Sequence, residues 1–544
     1  MANVLPQFKQ KYQFYALSVL SGILIGTSFI PYPAWAILFC YIPLWFSVVK
    51  SEKENFNLKQ QFLMGWISQF ILTLIGFNWI YYTASEFGHL HWSISVLTLL
   101  LFASAMHIYI PLSLLAATWM KRRFNLTTAQ HIFVIALTSS LFERIWPSIF
   151  QWNMGYTLFW MKWPVFNWAD TIGFLGLSSL IYLIQGGLLI ACLNLKIKKI
   201  LSLKIFSFIF IFLILINWTG HIKQKKWSAT NRSIQIAITQ ANVGNEEKLI
   251  SELGPRFQSS IAEKYITLVD DFLKTEIRPD IILWPETALP FPLDSYFSHR
   301  PLQNRLQSKI HEWKSVLVTG AYSHDLIKKD IFGETLIRNS IFFLDQNGIL
   351  EKNYNKSQLL AFGEYLPFGE LVPSLYKLFP FVGTFEKGAG PENKRIKINE
   401  NYTLNLGPQI CYESLDPEFS RHLAKKGSEI IFNVTNDSWF GDWAEPYQHL
   451  YMTLARGIEV RRPVVRSTNT GFSSVSLANG TVLEKSKMNE SWMKNFNVTY
   501  QSDPELTFYV IYGHYDWIVL ICLLFFVLLQ SRFSLKIKNI YLKK

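Results

Sequence analysis

The first 220 residues are a succession of long apolar stretches separated by short polar breaks, and few folds accept such a pattern. In hydrocarbon a backbone must satisfy its own hydrogen bonds, so runs of about 17 to 25 apolar residues become membrane helices. Such runs occur at Phe14–Ile30, Ala34–Val49, Phe62–Tyr82, Ile94–Trp119, His131–Trp146, Ile172–Leu193 and Leu203–Trp218, with an eighth at Trp517–Leu529. Pro31-Tyr32-Pro33 makes the first pair a hairpin, because proline cannot continue a helix. No small-residue cleavage site follows the first run, which therefore reads as a retained helix and not a signal peptide.

Only 17% of the 544 residues are charged, where a soluble protein carries nearer a quarter. The net charge of +13 does not indicate nucleic acid, because the basic residues cluster beside the apolar runs. Lys9, Lys11, Lys50, Lys53, Lys59, Lys121, Arg122, Arg123, Lys196, Lys198, Lys199, Arg532, Lys536 and Lys538 fall on one set of flanks. The alternate loops, Pro31–Pro33, Ala84–Trp92 and Pro147–Thr171, hold Lys162 alone. By the positive-inside rule the basic flanks face the cytoplasm, both termini included. The expected organisation is a bundle of seven helices over 1–220, an exported catalytic domain over 221–510, and a final helix with a basic cytoplasmic tail over 511–544. Glu143 and Arg144 are costly in lipid and are expected to pair with other helices, as anchors or as substrate contacts.

From Ser233 to Val510 the pattern changes to short β runs alternating with helical segments, the sign of an α/β layered domain. Strands are expected at Ser233–Gln240, Ile281–Trp284, Val316–Gly320, Ser340–Leu344, Leu404–Cys411, Ile430–Thr435 and Ser473–Leu477. Helices are expected at Arg256–Thr275 and Gln448–Glu459. There is no glycine-rich nucleotide loop and no metal-ligand spacing, so neither cofactor nor metal is expected. Of four cysteines, Cys40, Cys192 and Cys522 lie in apolar runs, where a thiol is usually a small buried hydrophobe. Cys411 stands apart in the polar domain. With Glu286 after Trp284-Pro285, and Lys356 after Tyr354-Asn355, it completes a base, a nucleophile and a cation: the set that acyl transfer through a thioester requires.

The flanks carry a resemblance. Leu283-Trp284-Pro285-Glu286-Thr287, Tyr354-Asn355-Lys356 with Phe362-Gly363-Glu364-Tyr365-Leu366-Pro367, Ile410-Cys411-Tyr412-Glu413, and Asn436-Asp437-Ser438-Trp439-Phe440-Gly441 resemble the bacterial apolipoprotein N-acyltransferase family of the nitrilase superfamily. Gly76-Phe77-Asn78-Trp79-Ile80-Tyr81 and Asn153-Met154-Gly155-Tyr156 do so in the apolar part. Arg461-Arg462-Pro463 and Arg466-Ser467-Thr468-Asn469-Thr470-Gly471 add to it. The likeness spans nearly the whole chain. It implies a multi-domain membrane protein of the bacterial inner membrane: an eight-helix transmembrane bundle plus an α/β nitrilase-like αββα sandwich domain in the periplasm.

The same resemblance assigns roles. Glu286 matches the general base, Lys356 the oxyanion-stabilising cation and Cys411 the nucleophile, with the Tyr412 backbone N–H beside the oxyanion. Glu364 and Glu413 match carboxylates that position Lys356 and the reacting amine. Asn436 and Asp437 either shape the pocket or form a turn. The implied reaction moves an acyl chain from a phospholipid donor, phosphatidylethanolamine by expectation, to diacylglyceryl apolipoproteins, with no cofactor and in a monomer. The family often has a tryptophan after the first strand, yet residues 239–249 read TQANVGNEEKL without one.

Between Lys356 and Cys411, Phe362–Phe385 is rich in apolar residues, among them Phe368, Leu371, Leu375, Phe379 and Phe381, broken by Pro367, Pro373 and Pro380. It reads as a membrane-facing lid or, alternatively, as ordinary core. Two rival functions stand beside acyl transfer: a membrane-tethered amidase or nitrilase acting on small C–N substrates, and a non-enzymatic scaffold with a relict domain.

Overall fold

The computed structural model describes residues 4–541 except 55, 252, 295–299, 331 and 380–381. The chain divides into two compact units, 1–223 with 512–544, and 224–511.

The first unit is helical. Helices Leu58–Gly76 and Thr128–Ile145 each begin at a reciprocal capping box, Asn57 with Gln60 and Thr127 with Gln130, which satisfies two orphan backbone donors at each start. Among the described residues, four helical stretches are long and apolar enough to cross a membrane: Trp92–Phe124, Pro164–Asn194, Lys199–Lys226 and Asp516–Phe533. Leu58–Gly76 and Trp79–Phe87 form a fifth candidate if the pair, bent by 62°, is one span. The second apolar run differs from expectation. Residues 35–41 are turns, and the helix Ile42–Ser51 starts where Pro43 occupies its first turn. Glu143 and Arg144 do pair with other helices. Glu143 accepts from Tyr182 (3.1 Å) and Tyr109 (3.4 Å), and Arg144 pairs with Asp516.

The second unit is an α-β-β-α sandwich. One seven-stranded sheet runs β12 (Trp492–Tyr500), β1 (Arg232–Gln240), β2 (Ile281–Leu283), β4 (Val316–Lys329), β5 (Thr335–Asp345), β6 (Gly348–Asn355), with β3 (Leu289–Pro292) beside β4. The other, five-stranded, runs β11 (Ser474–Ser476), β10 (Val464–Thr468), β9 (Ile430–Thr435), β8 (Tyr402–Ile410), β7 (Lys394–Asn399). Each has a parallel centre, β1-β2-β4 and β8-β9-β10, and antiparallel margins.

Side-chain alternation along the strands builds the layers. Ile281 and Leu283 join Ile236, Val318, Leu406, Phe432, Val434 and Val465 in the core between the sheets. Ile282 and Trp284, on the opposite face, pack with Tyr265, Ile266 and Val269 of the helix Pro255–Leu273, and with Leu306 and Trp313 of the helix Arg300–Trp313. Across the two sheets, the Ser467 hydroxyl donates to the Thr239 carbonyl at 3.0 Å. β1, β2, β8 and β9 match expectation within a few residues, β4 runs on to Lys329 past the expected Gly320, and β3, β6, β7, β10, β12 and the helix Arg300–Trp313 were not expected.

Candidate functional site

Strands release the candidate residues from their C-terminal ends, the parallel β2, β8 and β9 and the antiparallel edge strand β6. Glu286 follows β2, Cys411 follows β8, Asn436 follows β9, and Lys356 follows β6. The loop bearing Glu286 lies tight against β4. A Cβ on Gly320 would approach the Thr287 nitrogen to 2.6 Å and the Glu286 Cα to 2.7 Å, so that position requires glycine.

Lys356 is buried and held by two carboxylates, with Nζ 3.2 Å from Glu286 Oε1 and 2.8 Å from Glu364 Oε2. Burial disfavours its charge, but Glu286 and Glu364 outweigh that and keep the ammonium well above its ordinary range. Asn339 on β5 ties the two carboxylates together, its amide donating to Glu286 (2.6 Å) and to Glu364 (3.0 Å). The backbone carbonyl of Asn339 accepts from the Lys356 N–H at 2.8 Å, which fixes the base of the lysine as well as its tip.

Cys411 opens a short helical turn, Cys411–Leu415, with φ +50°, a left-handed conformation that a non-glycine residue adopts at a cost. The thiol is buried. Burial pushes it above its ordinary range, Glu286 adds to that push, and Lys356 and the Thr435 hydroxyl oppose it. The resting sulfur is therefore a neutral thiol, and any attack by it needs a base.

Glu413 braces this turn against the Lys356 loop. One of its oxygens accepts from the Tyr354 hydroxyl (2.7 Å), the Ser357 backbone N–H (2.6 Å) and the Ser357 hydroxyl (2.9 Å); the other accepts from the Ile410 N–H (2.8 Å). Burial raises the Glu413 carboxyl above its usual range, against these donors. Its hydrogen bonds go to framework groups, in contrast to Glu364, which grips the Lys356 ammonium directly.

Behind Cys411 lies a buried polar cluster. Asp437 pairs with Arg466 (2.7 Å) and with His449 Nδ1 (2.9 Å). Burial works against the Asp437 charge, yet Arg466 and His449 hold its carboxyl below the usual range. Glu445 is pushed the other way, by burial and by the Asp437 charge. Asp437, Glu445 and His449 form the one group among the described residues whose ligand atoms lie close enough to hold a metal ion, within 4.8 Å of one another. The Arg466 guanidinium already supplies positive charge there. Asn436 accepts from the Ser438 hydroxyl at 2.7 Å, so it closes a turn at the rim of the cluster.

Of the expected lid residues, Phe368 and Leu371 are exposed, at 74% and 80%, whereas Leu375 and Phe379 pack on a small cluster of Leu366, Tyr376 and Val382. The arm is pinned at its stem, where Gly383 N–H donates to the Gly363 carbonyl (2.9 Å) and Phe385 N–H to the Glu364 carbonyl (3.1 Å). Pro380 and Phe381 lie outside the described residues.

Three neighbours of the site were not foreseen: Asn339, Asn469 and Lys248. The Asn469 amide donates to the Glu286 carbonyl at 2.7 Å and its oxygen accepts from the Tyr265 hydroxyl at 2.5 Å. Lys248 stands in the segment where the tryptophan is lacking, and its amine donates to the Thr287 hydroxyl at 2.6 Å. A lysine in a polar stretch carries no sequence signal of burial, Asn339 lies on β5, and Asn469, just past β10, stands in a motif that carried the resemblance without assigning it a role.

Residues 233–499 match the profile of the carbon-nitrogen hydrolase family, and residues 21–187 match that of the apolipoprotein N-acyltransferase N-terminal domain. The chain is 46% identical over 519 residues to the apolipoprotein N-acyltransferase of Bdellovibrio bacteriovorus, covering 95% of this chain and 94% of that protein. It is 28% identical to the protein of that name from Geobacter metallireducens, over 86% of each chain. It is 27% identical to that from Shewanella oneidensis, over 89% of this chain and 90% of the other.

Proposed function

Because the chain belongs to the apolipoprotein N-acyltransferase family, we propose that it moves an acyl chain from a membrane phospholipid, through a thioester on Cys411, to the α-amino group of diacylglyceryl lipoproteins. It is an acyltransferase of lipoprotein maturation. The observation that carries the finer reading is a buried Cys411 thiol in the electrostatic reach of Lys356, whose ammonium is held between Glu286 (3.2 Å) and Glu364 (2.8 Å).

Each group then has one task. Glu286 takes the Cys411 proton as the sulfur attacks the ester carbonyl of the phospholipid. Lys356, kept charged by its two carboxylates, acts as a fixed cation beside the developing oxyanion, together with the Tyr412 backbone N–H. Glu286 returns the proton to the departing alkoxide of the lysophospholipid. The lipoprotein amine next attacks the thioester, Glu286 accepts its proton, and the sulfur leaves and is reprotonated. The exposed Phe368 and Leu371 supply apolar surface at which acyl chains would enter.

Eight spans, cytoplasmic termini and an exported catalytic domain in the inner membrane complete the proposal, supported by the apolar runs and their basic flanks. Phosphatidylethanolamine as donor and a monomeric state belong to it as well. Intact-mass measurement after incubation with phospholipid alone tests the chemistry. An acyl adduct is expected on the wild type and not on Cys411→Ala, discharged by a diacylglyceryl-cysteine peptide. Discharge by water at the same rate would make the protein a hydrolase, and no adduct would remove the thioester altogether.

A further inference from the structure

Two lysines approach Glu286, and they are held in opposite ways. Lys356 is gripped by two carboxylates. Lys248 has none: among the described residues it forms no ion pair, and its amine donates to the Thr287 hydroxyl (2.6 Å) and, at 3.4 Å, to the Glu286 carbonyl. The helix that carries it, Asn245–Ser251, follows β1 and is tied to the loop after β9, where the Asn245 amide donates to the Ser438 carbonyl at 3.0 Å. Lys248 is half-buried as a residue, with its amine end enclosed. An enclosed ammonium without a counter-ion is costly, and shedding its proton relieves that cost.

The proposed two-step transfer, on which this argument rests, leaves one proton unaccounted for. An α-amino group titrates at about 7.7 to 8.0, so at neutral pH the acceptor arrives mostly as an ammonium with no lone pair. Glu286 handles the proton released as the amide forms. The earlier proton, from ammonium to amine, needs a separate acceptor.

We infer that Lys248 is that acceptor, a second base whose neutral amine takes the first proton from the incoming α-ammonium beside the Cys411 thioester. An N–H bond of the ammonium breaks and its proton moves to the Lys248 Nζ. The freed lone pair attacks the thioester carbonyl carbon, the C–N bond forms and the C–S bond breaks. The second proton passes through Glu286 to the sulfur. Lys248 then returns its proton to water as the product leaves. Its basicity suits this task, since burial lowers the amine to about 7, against the opposing pull of Glu286 and Cys411, the charged and titratable groups that face it from the loop after β2 and the turn after β8. The neighbouring Glu247 is engaged by Lys264 at 2.5 Å.

The test follows discharge of preformed acyl-enzyme by a diacylglyceryl-cysteine peptide from pH 6.5 to 9, in wild type, Lys248→Gln and Lys248→Arg. Without a second base, only acceptor arriving as free amine reacts. Lys248→Gln should therefore fall about 5- to 10-fold at pH 7 and converge on wild type near pH 9. Arginine keeps the charge but cannot accept a proton, so Lys248→Arg should fall with Lys248→Gln. Full rate at pH 7 in Lys248→Arg, or an unchanged pH profile in Lys248→Gln, overturns the inference. Thermal unfolding of both variants identifies a folding defect, and a variant that takes no acyl group from phospholipid is loaded from an activated ester instead. A wild type that forms no thioester from phospholipid refutes the acyl-transfer reading itself, a result distinct from failure of the Lys248 step.

Discussion

Asn339 is the residue on which the geometry of the proposed base turns. Its side-chain amide holds Glu286 and Glu364 at once, and its backbone carbonyl holds the Lys356 N–H, so one residue sets the distance between the proposed base and cation. Asn339→Leu should keep the fold and slow thioester formation about 10- to 100-fold, read by intact-mass kinetics, because a base displaced by about 1 Å loses that much. Asp437 has a structural task by contrast. Asp437→Asn leaves the buried Arg466 guanidinium uncompensated and should destabilise the domain by about 3 to 5 kcal/mol, measured by thermal unfolding. Glu286, Lys356 and Cys411 were legible because each sits in a short motif of unusual composition beside an apolar run. Asn339, Asn469 and Lys248 were not, because an amide in or just past a strand, or a lysine in a polar stretch, takes its meaning from residues distant in sequence.

At the scale of the elements, strands with a plain apolar run, such as Ile430–Thr435, were read to the residue. Others were hidden for physical reasons. β10 carries Arg466 in its middle, and that charge is tolerated there because Asp437 and Asn433 receive it. β12 is an edge strand that carries Lys494, Asn495 and Asn497, so its alternation is diluted by polar positions. The arm between β6 and β7 combines both outcomes, with Leu375 and Phe379 packed and Phe368 and Leu371 exposed. Replacing the exposed pair, Phe368→Ser with Leu371→Ser, should shift stability by no more than about 0.5 kcal/mol. Acylation by phospholipid vesicles should nonetheless fall several-fold, while acylation by a short-chain soluble ester should not change. An equal fall with both donors would return the arm to the role of ordinary core.

On the scale of the whole molecule, the division into an apolar helical part and an α/β part was plain in composition, while the number of crossings was not. Several apolar runs fold as helices shorter than a bilayer requires, Ile42–Ser51 among them, and one bends by 62° at residues 77–78. Basic flanks and not helix length carry the proposed orientation, and a fluorescent protein that matures only in the cytoplasm, fused after residue 544, should be bright. A dark but full-length fusion would reverse the topology. The placement of reacting groups has a consequence for how such enzymes diversify. Glu286, Lys356, Cys411 and Asn436 all stand where strands end, and the outer loop segments between them supply no proposed reacting group. Those segments are free to lengthen or change in composition under selection, so one set of strand ends can serve many acceptors. The apolar arm, inserted between Lys356 and Cys411, then works as an exchangeable tool-head on a fixed handle, and lineages should diverge there first.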